Sequence, residues 1–560
     1  MTYSDRITRL SKFLEVPHDT EPTILQNKDL EPMPPSRRVW GFFSFAGYWG
    51  NPNFTIGTWS AGSALIATGL NVGNIMGAIV IGNVVFAIYT CLNSGPGQKF
   101  HIGYTVCQRM IFGIYGSGFG IIMRIILSII FYGSQSWLGS QGLVVIFSSF
   151  SKSYMNMENT FPDSVAMTTR DFIAFLVFQI VQMFFFLMRP EKMNSYVNVA
   201  CMITAVSFVA VLITCLKKNG GSPGSLLSAK STLSTSDTAW MWIYTMSIWF
   251  GSLSPNVTNQ SDFSRFASSR LKMYLGIFAG ILVGGTFVPI AGIVASSACE
   301  ELYGEAYWLP TDISLRWMAD NYSSGCRAAN FFLGFCFTAS QLTFNVLADG
   351  FSGGMDLAGV WPKYINIRRG AIITALLSWA VQPWNFYNTS SAFLDVMGAF
   401  GVFVTPIIAI IVADFHIVRR GKIPLSDLYS LETDGTFYFT KGFNFRAFGV
   451  WVVSCVPGIP GLVKSVKADA NVPVGLTNYF YGNIFLEFIP PLILYVIVCR
   501  IFPVKNAGTV DKLDVFNAFT LEECEKLGIL PNDTIEGVEA SDIEIIVEEK
   551  DMATIKQISV

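Results

Sequence analysis

The sequence predicts an all-α protein that crosses a membrane many times. Of 560 residues, 51% are hydrophobic. Only 14% are charged, where a soluble domain carries about 25%. The apolar residues also gather into runs near the roughly 20 residues that a bilayer requires. A single core cannot absorb that much apolar length, and so little charge cannot cover a soluble surface. A net charge of −2 gives no case for nucleic acid as a partner.

Twelve spans are expected, near 41–70, 72–92, 119–148, 171–189, 195–216, 240–262, 272–298, 329–352, 370–386, 391–414, 443–464 and 479–503. The first 39 residues hold six Lys or Arg and as many acids with no apolar core, so they do not read as a cleaved signal peptide. An even span count puts both termini on one side. Lys and Arg collect in the segments after the even-numbered spans (Lys99 and Arg109, Arg265 and Arg270, Arg419 and Arg420 among them), which makes that side cytosolic. The chain from 504 to 560 is polar and acidic and reads as a cytosolic tail.

The first span contains "GYWGNPNFTIGTWSAG" and the sixth "SIWFGSLSPNVTNQSDFSRF". Pro and Gly inside hydrocarbon free backbone groups that protein, water or ligand must satisfy. Interruptions five spans apart point to inverted repeats around a midplane site. Asn53, Thr55 and Trp59 are then expected to face Ser252, Pro255 and Asn256 across a cavity. Kinked helices without a ligand are the plainer alternative.

In the third span Gln135 follows Phe131 by four residues, so ring and amide share a helix face. A flat heterocycle can stack on the ring while the amide bonds its polar edge; the same Gln can equally join two helices. The eighth span carries Ser340, Gln341, Thr343 and Asn345 ahead of Asp349, with Asp356 seven residues on. No Lys or Arg lies within ten residues of Asp349 on either side, and a carboxylate at such depth costs at least about 2.5 kcal/mol. It reads as the partner of a substrate cation, with a proton carrier, or a place past the membrane in a cytosolic turn, as the alternatives. Asp262 lies beside Arg265, and Asp356 is within reach of Lys363 or Arg368, so both also fit structural ion pairs. Arg124 and Glu487 read as structural. The ten cysteines form no C-x-x-C pair and give no disulfide framework or zinc site. The three histidines fall outside the apolar runs. No nucleotide loop, metal cluster or catalytic triad suggests an enzyme or a cofactor.

The segments "FGIYGSGFGIIMRI", "NQSDFSRF", "GGMDLAGVWPKYINIRRGA" and "PWNFYNTSSAFLDVMGAFGV" resemble the nucleobase:cation symporter family 1. The likeness is to its fungal branch of uracil, allantoin, uridine, thiamine and nicotinamide riboside permeases. "YFTKGFNFRAF" and "CVPGIPGL" look most like the thiamine and nicotinamide riboside members. The resemblance implies a LeuT-like five-plus-five inverted repeat, about 40–216 and 240–414, with extra helices about 443–503 and broken helices one and six. It places the family's paired substrate indoles at Phe131 and Leu253, its substrate amide at Gln135 and its eighth-helix Asn at Asp349. The sodium site of the bacterial member uses two adjacent hydroxyls, which fall here at Thr343 and Phe344, so one oxygen is missing. The resemblance therefore implies proton coupling, with Asp262, Thr343 and Asp356 as the ion-side residues. The expected function is import of a heterocyclic vitamin across the plasma membrane. A uracil, allantoin or uridine permease, or a transporter-like sensor, is the alternative.

Overall fold

In a computed structural model of the chain, residues 25, 30–188, 190–361 and 363–532 are described. Most of the 1–39 segment and the acidic stretch beyond 532 lie outside the described residues. Those described form helices joined by short turns, with isolated bridges such as Trp40 to Ala267 in place of any strand. Among the described residues, seven helices are long and apolar enough to cross a membrane, or eight if the bent pair Phe445–Cys455 and Gly458–Val466 is one span. The principal helices used below are α1 (Phe42–Gly50), α2 (Ile56–Ala64), α3 (Val72–Asn93), α4 (Ser117–Phe150), α5 (Thr169–Phe185) and α6 (Pro190–Lys218). They continue with α7 (Thr235–Thr258), α8 (Arg270–Tyr303), α9 (Ser324–Asn345), α10 (Phe351–Val360), α11 (Ile367–Leu377), α12 (Ser390–Val412) and α13 (Leu521–Leu527).

Close packing of α8 on α1 follows from a glycine stripe. A Cβ on Gly276 would lie 2.6 Å from the Phe42 carbonyl oxygen, and one on Gly280 would lie 2.6 Å from that of Ala46. Small residues at such spacing let two backbones meet where lipid gives no hydrophobic drive for association. A second crossing joins α4 to α9, where a Cβ on Gly334 would fall 2.9 Å from the Gly142 carbonyl oxygen.

Between α1 and α2 the chain leaves the helix through a tight turn at Asn51–Asn53 and an extended Thr55. Side chains take up the freed acceptors: Asn53 Nδ2 donates to the Trp49 carbonyl at 2.7 Å and Thr55 Oγ1 to that of Pro52 at 3.0 Å. The sixth expected span behaves differently. Its helix α7 runs through Gly251 and Pro255 and stops only at Thr258. Pro255 cannot donate to the Gly251 carbonyl four residues back, and Ser254 Oγ does so at 3.0 Å. The same device serves Pro289 inside α8, whose missing bond to Gly285 is supplied by Asn83 Nδ2 at 2.8 Å.

Between α9 and α10 one wide π-turn spans Val346–Gly350 and contains Asp349. The segments bearing the two termini meet at one end of the bundle. There the Arg38 guanidinium lies 2.7 Å from Glu523 on α13, and Tyr429 Oη donates to the Leu30 carbonyl.

Candidate functional site

A narrow cavity of about 50 Å³ lies at the break between α1 and α2. That break contributes Thr55, Gly57 and Thr58, and α4 contributes Phe131, Ser134 and Gln135. Ser252, Leu253 and Asn256 enter from α7, and Phe344 and Asp349 from α9 and the π-turn. Of the residues expected at a midplane site, Thr55, Phe131, Gln135, Ser252, Leu253 and Asp349 therefore share one cavity.

Asn53 and Trp59 do not line it. Asn53 is turned to Gly284 on α8, and Trp59 packs against Phe208 of α6 with ring centroids 4.9 Å apart and planes tilted by 31°. Tyr387, Phe393 and Met397 line the cavity and were not foreseen from the sequence. Their signal was present in the motif "PWNFYNTSSAFLDVMGAFGV", but nothing local shows which face that segment turns inward. Tyr387 is fixed by a 2.6 Å hydrogen bond between its hydroxyl and that of Ser134.

Asp349 is 7% exposed, and its Oδ2 is buried without a hydrogen-bond partner. The wide turn that carries it is braced from behind. Asn345 Nδ2 donates to the Tyr132 carbonyl at 3.1 Å and to Ser136 Oγ at 2.9 Å, while Tyr132 and Ser136 both donate to Gln182 Oε1 on α5. π-turns recur at functional sites because the extra residue re-aims a side chain. Here that side chain is Asp349. Across the cavity, the Phe131 ring is propped by Phe400 of α12 at 4.7 Å between centroids. Gln135 accepts a short hydrogen bond from Gln341 Nε2 through its carbonyl. Its amide is thus both a link between α4 and α9 and a wall of the cavity.

The ion-side candidates lie apart from this group. Thr343 Oγ1 donates back to the Ala339 carbonyl at 2.8 Å and does not line the cavity, whereas Phe344 does. Asp262 and Asp356 line a second cavity of about 530 Å³, to which Leu30, Arg37 and Val39 of the described N-terminal residues also contribute, walled by Trp40, Tyr48, Phe263 and Phe266. Asp262 Oδ1 accepts from the Tyr104 backbone N–H at 2.8 Å. Asp356 is 1% exposed, and the ion partner closest to it is Arg124, whose Nε is 3.4 Å from Oδ2. Arg124 also donates to the Pro255 carbonyl of α7 at 2.9 Å. The sequence suggested Lys363 or Arg368 for that pairing and read Arg124 as structural. In the fold Arg124 is buried between three helices at the boundary of the two cavities.

Long apolar helices around an aromatic, hydroxyl-lined cavity, with a larger cavity between it and one end of the bundle, define a membrane transport protein. The chain belongs to the family of permeases for cytosine/purines, uracil, thiamine and allantoin, whose sequence model matches residues 32–486. Among its relatives in Saccharomyces cerevisiae, a thiamine transporter is 42% identical over 95% of this chain and 89% of its own. Nicotinamide riboside transporter 1 of the same yeast is 42% identical with the same coverage. An allantoin permease of that yeast is 30% identical over 88% of this chain and 78% of its own. The fold is similar to that of the solved structure of Mhp1 in its inward-facing conformation, with a TM-score of 0.67 at 20% identity, covering 87% of this chain and 97% of Mhp1. The chain is thus a multi-pass membrane permease for a small molecule, and it is not an enzyme.

Proposed function

We propose that this permease imports a small, positively charged heterocyclic vitamin of the thiamine or nicotinamide riboside kind, driven by protons. The observation that carries the reading is Asp349, a buried carboxylate whose Oδ2 meets no hydrogen-bond donor inside a cavity walled by Phe131, Tyr387 and Phe393. A flat aromatic cation offers a face for the rings and a charge for the carboxylate. At an effective dielectric of about 20, unit charges about 4 Å apart attract by roughly 4 kcal/mol before desolvation. A quarter of that is already a several-fold preference over a neutral analogue. Relatives named for thiamine and nicotinamide riboside transport, at 41–42% identity, support the same substrate class.

The architecture that goes with this reading has twelve spans, two inverted repeats of five (about 40–216 and 240–414) and both termini in the cytosol at the plasma membrane. Asn53 and Trp59 then serve by holding the α1–α2 break against α8 and α6, while Thr55, Ser252 and Leu253 meet the substrate. Asp262 and Asp356 belong to the proton side, at the cytosolic mouth.

Uptake of labelled thiamine in cells lacking their own carriers, competed with nicotinamide riboside, uracil, uridine and allantoin, tests the reading. Competition by the two cations and not by the neutral compounds supports it. Saturable uptake of uracil or uridine, with no effect of the cations, rejects it. Absence of any saturable uptake, with the protein at the cell surface, favours a sensor.

A further inference from the structure

We propose that Cys215 and Cys299 form a disulfide that ties α6 to α8 at the end of the bundle remote from the termini. Their sulfurs lie 3.8 Å apart although the residues are 84 positions apart in sequence. Both side chains are buried, at 2% and 1% exposure. Each lies in the last turns of its helix, since α6 ends at Lys218 and α8 at Tyr303.

The two helix ends are clamped together without help from the thiols. The chain leaving α6 folds over the end of α8, where Ser222 Oγ donates to Glu301 at 3.1 Å and Ser225 Oγ to Glu300 at 3.0 Å. Between them Gly224, at φ +95°, sits so close to α8 that a Cβ there would be 2.2 Å from the Ser297 carbonyl oxygen. The contact between sulfurs is therefore set by the fold. A disulfide needs the sulfurs about 2.05 Å apart, which asks for a turn of two short side chains in a contact already made.

The chemistry is thiol–disulfide exchange with a disulfide-bearing oxidant, small or protein-borne. The Cys215 thiolate attacks one sulfur of that disulfide and releases its partner as a thiol. The Cys299 thiolate then attacks the mixed disulfide at Cys215 Sγ and releases the second thiol. Two protons leave the cysteines, and two electrons reduce the oxidant to its two thiols. The compartment rests on the topology proposed above: the ends of the fifth and seventh spans face the secretory lumen during synthesis, where such bonds form and persist. Burial then shields the closed bond from soluble reductants. With the remote ends of α6 and α8 joined, their other ends keep the freedom to part around that joint.

The full-length protein, extracted from membranes without reductant and denatured in excess maleimide, is weighed intact. Eight of its ten cysteines should be alkylated, rising to ten after reduction. Cys215→Ser and Cys299→Ser should each show nine labels without reductant, so deleting one cysteine adds a label. Ten labels on the unreduced parent overturn the proposal, as does a fall by one label in the single variants. The count does not depend on topology. A glycosylation acceptor placed in 219–221 reports that separately, so its failure would overturn the assigned side of the membrane and leave the bond standing.

Discussion

Asp349 and Asp356 are two buried carboxylates one residue short of eight positions apart, and their surroundings assign them different work. Asp356 has a partner in Arg124 at 3.4 Å, which in turn holds the Pro255 carbonyl of α7. Losing one member of a buried pair strands the other, at a typical cost of about 3–5 kcal/mol. Asp356→Asn is therefore expected to lower thermal stability in detergent markedly, and Arg124→Met with Asp356→Leu to recover much of it. If Asp356→Asn melts with the parent, the pair does not hold the two helices. Asp349 has no such tie, since its Oδ2 meets no donor. Asp349→Asn keeps the shape, removes the charge and should leave the melting temperature within a few degrees. Binding of thiamine or nicotinamide riboside should weaken tenfold or more, on the order of 1.4 kcal/mol, while a neutral heterocycle binds no worse. Unchanged affinity for both cations would mean that Asp349 does not meet the substrate's charge.

At the scale of elements, the small helix α13 docks the C-terminal segment onto the rest of the molecule through one carboxylate. Glu523 caps its own helix through Thr520 and receives Arg38 at 2.7 Å, with His101 Nε2 at 3.5 Å. Burial works against its charge, but the nearby His101 ring and the hydrogen bonds from the Thr520 N–H and Arg38 outweigh it and hold Glu523 below the usual carboxylate range. His101 is 1% exposed, and its pKa is lowered, first by burial and then by the neighbouring Arg38 charge, against the pull of Glu523. A histidine whose folded pKa is lowered binds fewer protons folded than unfolded. Its docked state is fully stable above the unfolded value near 6.5 and loses stability as pH falls below it. Glu523 stays ionised throughout that window. Amide exchange in 520–527, corrected for its intrinsic pH dependence, should therefore quicken between pH 7.5 and 5.5. His101→Asn should flatten the dependence, because Asn tolerates the left-handed backbone that His101 adopts at φ +57°. A dependence that survives His101→Asn would place the titrating group elsewhere. Elements of this kind were not legible in the sequence, since the contact joins residues 38, 101 and 523. The interruption after Gly50 was legible, because Pro52 and Gly57 cannot be hidden in a continuous span. The one expected at Gly251–Pro255 was misplaced because Ser254 mends the helix that Pro255 would break. The π-turn at Asp349 carries no local signal, as it is held by Tyr132, Ser136 and Gln182 from other helices. Helical spacing did bring Phe131 and Gln135 to one wall. It could not tell that Trp59, beyond the break, turns toward α6.

The whole molecule is asymmetric: a central cavity of about 50 Å³ against one of about 530 Å³ at the terminal end. Sites for small ligands usually enclose about 300–1,000 Å³, so a substrate of the proposed size enters the centre only if the surrounding helices part. Arg124 reaches Pro255, which lines the central cavity, and Asp356, which lines the larger one together with Asp262. A coupling ion must favour one arrangement of these parts over another, since a ligand shifts an equilibrium only by its differential affinity. A hard cation calls for several oxygen ligands at once. Here Thr343 Oγ1 keeps its lone pairs while it donates to Ala339, but its neighbour Phe344 brings no side-chain oxygen beside it. A proton needs only one acceptor, and carboxylates inside transport proteins commonly serve as relays for it. Uptake of labelled thiamine is therefore expected to rise as the medium is acidified from pH 7.5 to 5.0 and to collapse with a protonophore. Replacing sodium by potassium or choline at constant pH should change it little. Initial rates in whole cells, followed by proteoliposomes with imposed gradients of each ion separately, measure this. Accumulation driven by a sodium gradient with pH equal on both sides would reject proton coupling, and would require oxygen ligands from the α1–α2 break to complete a site at Thr343.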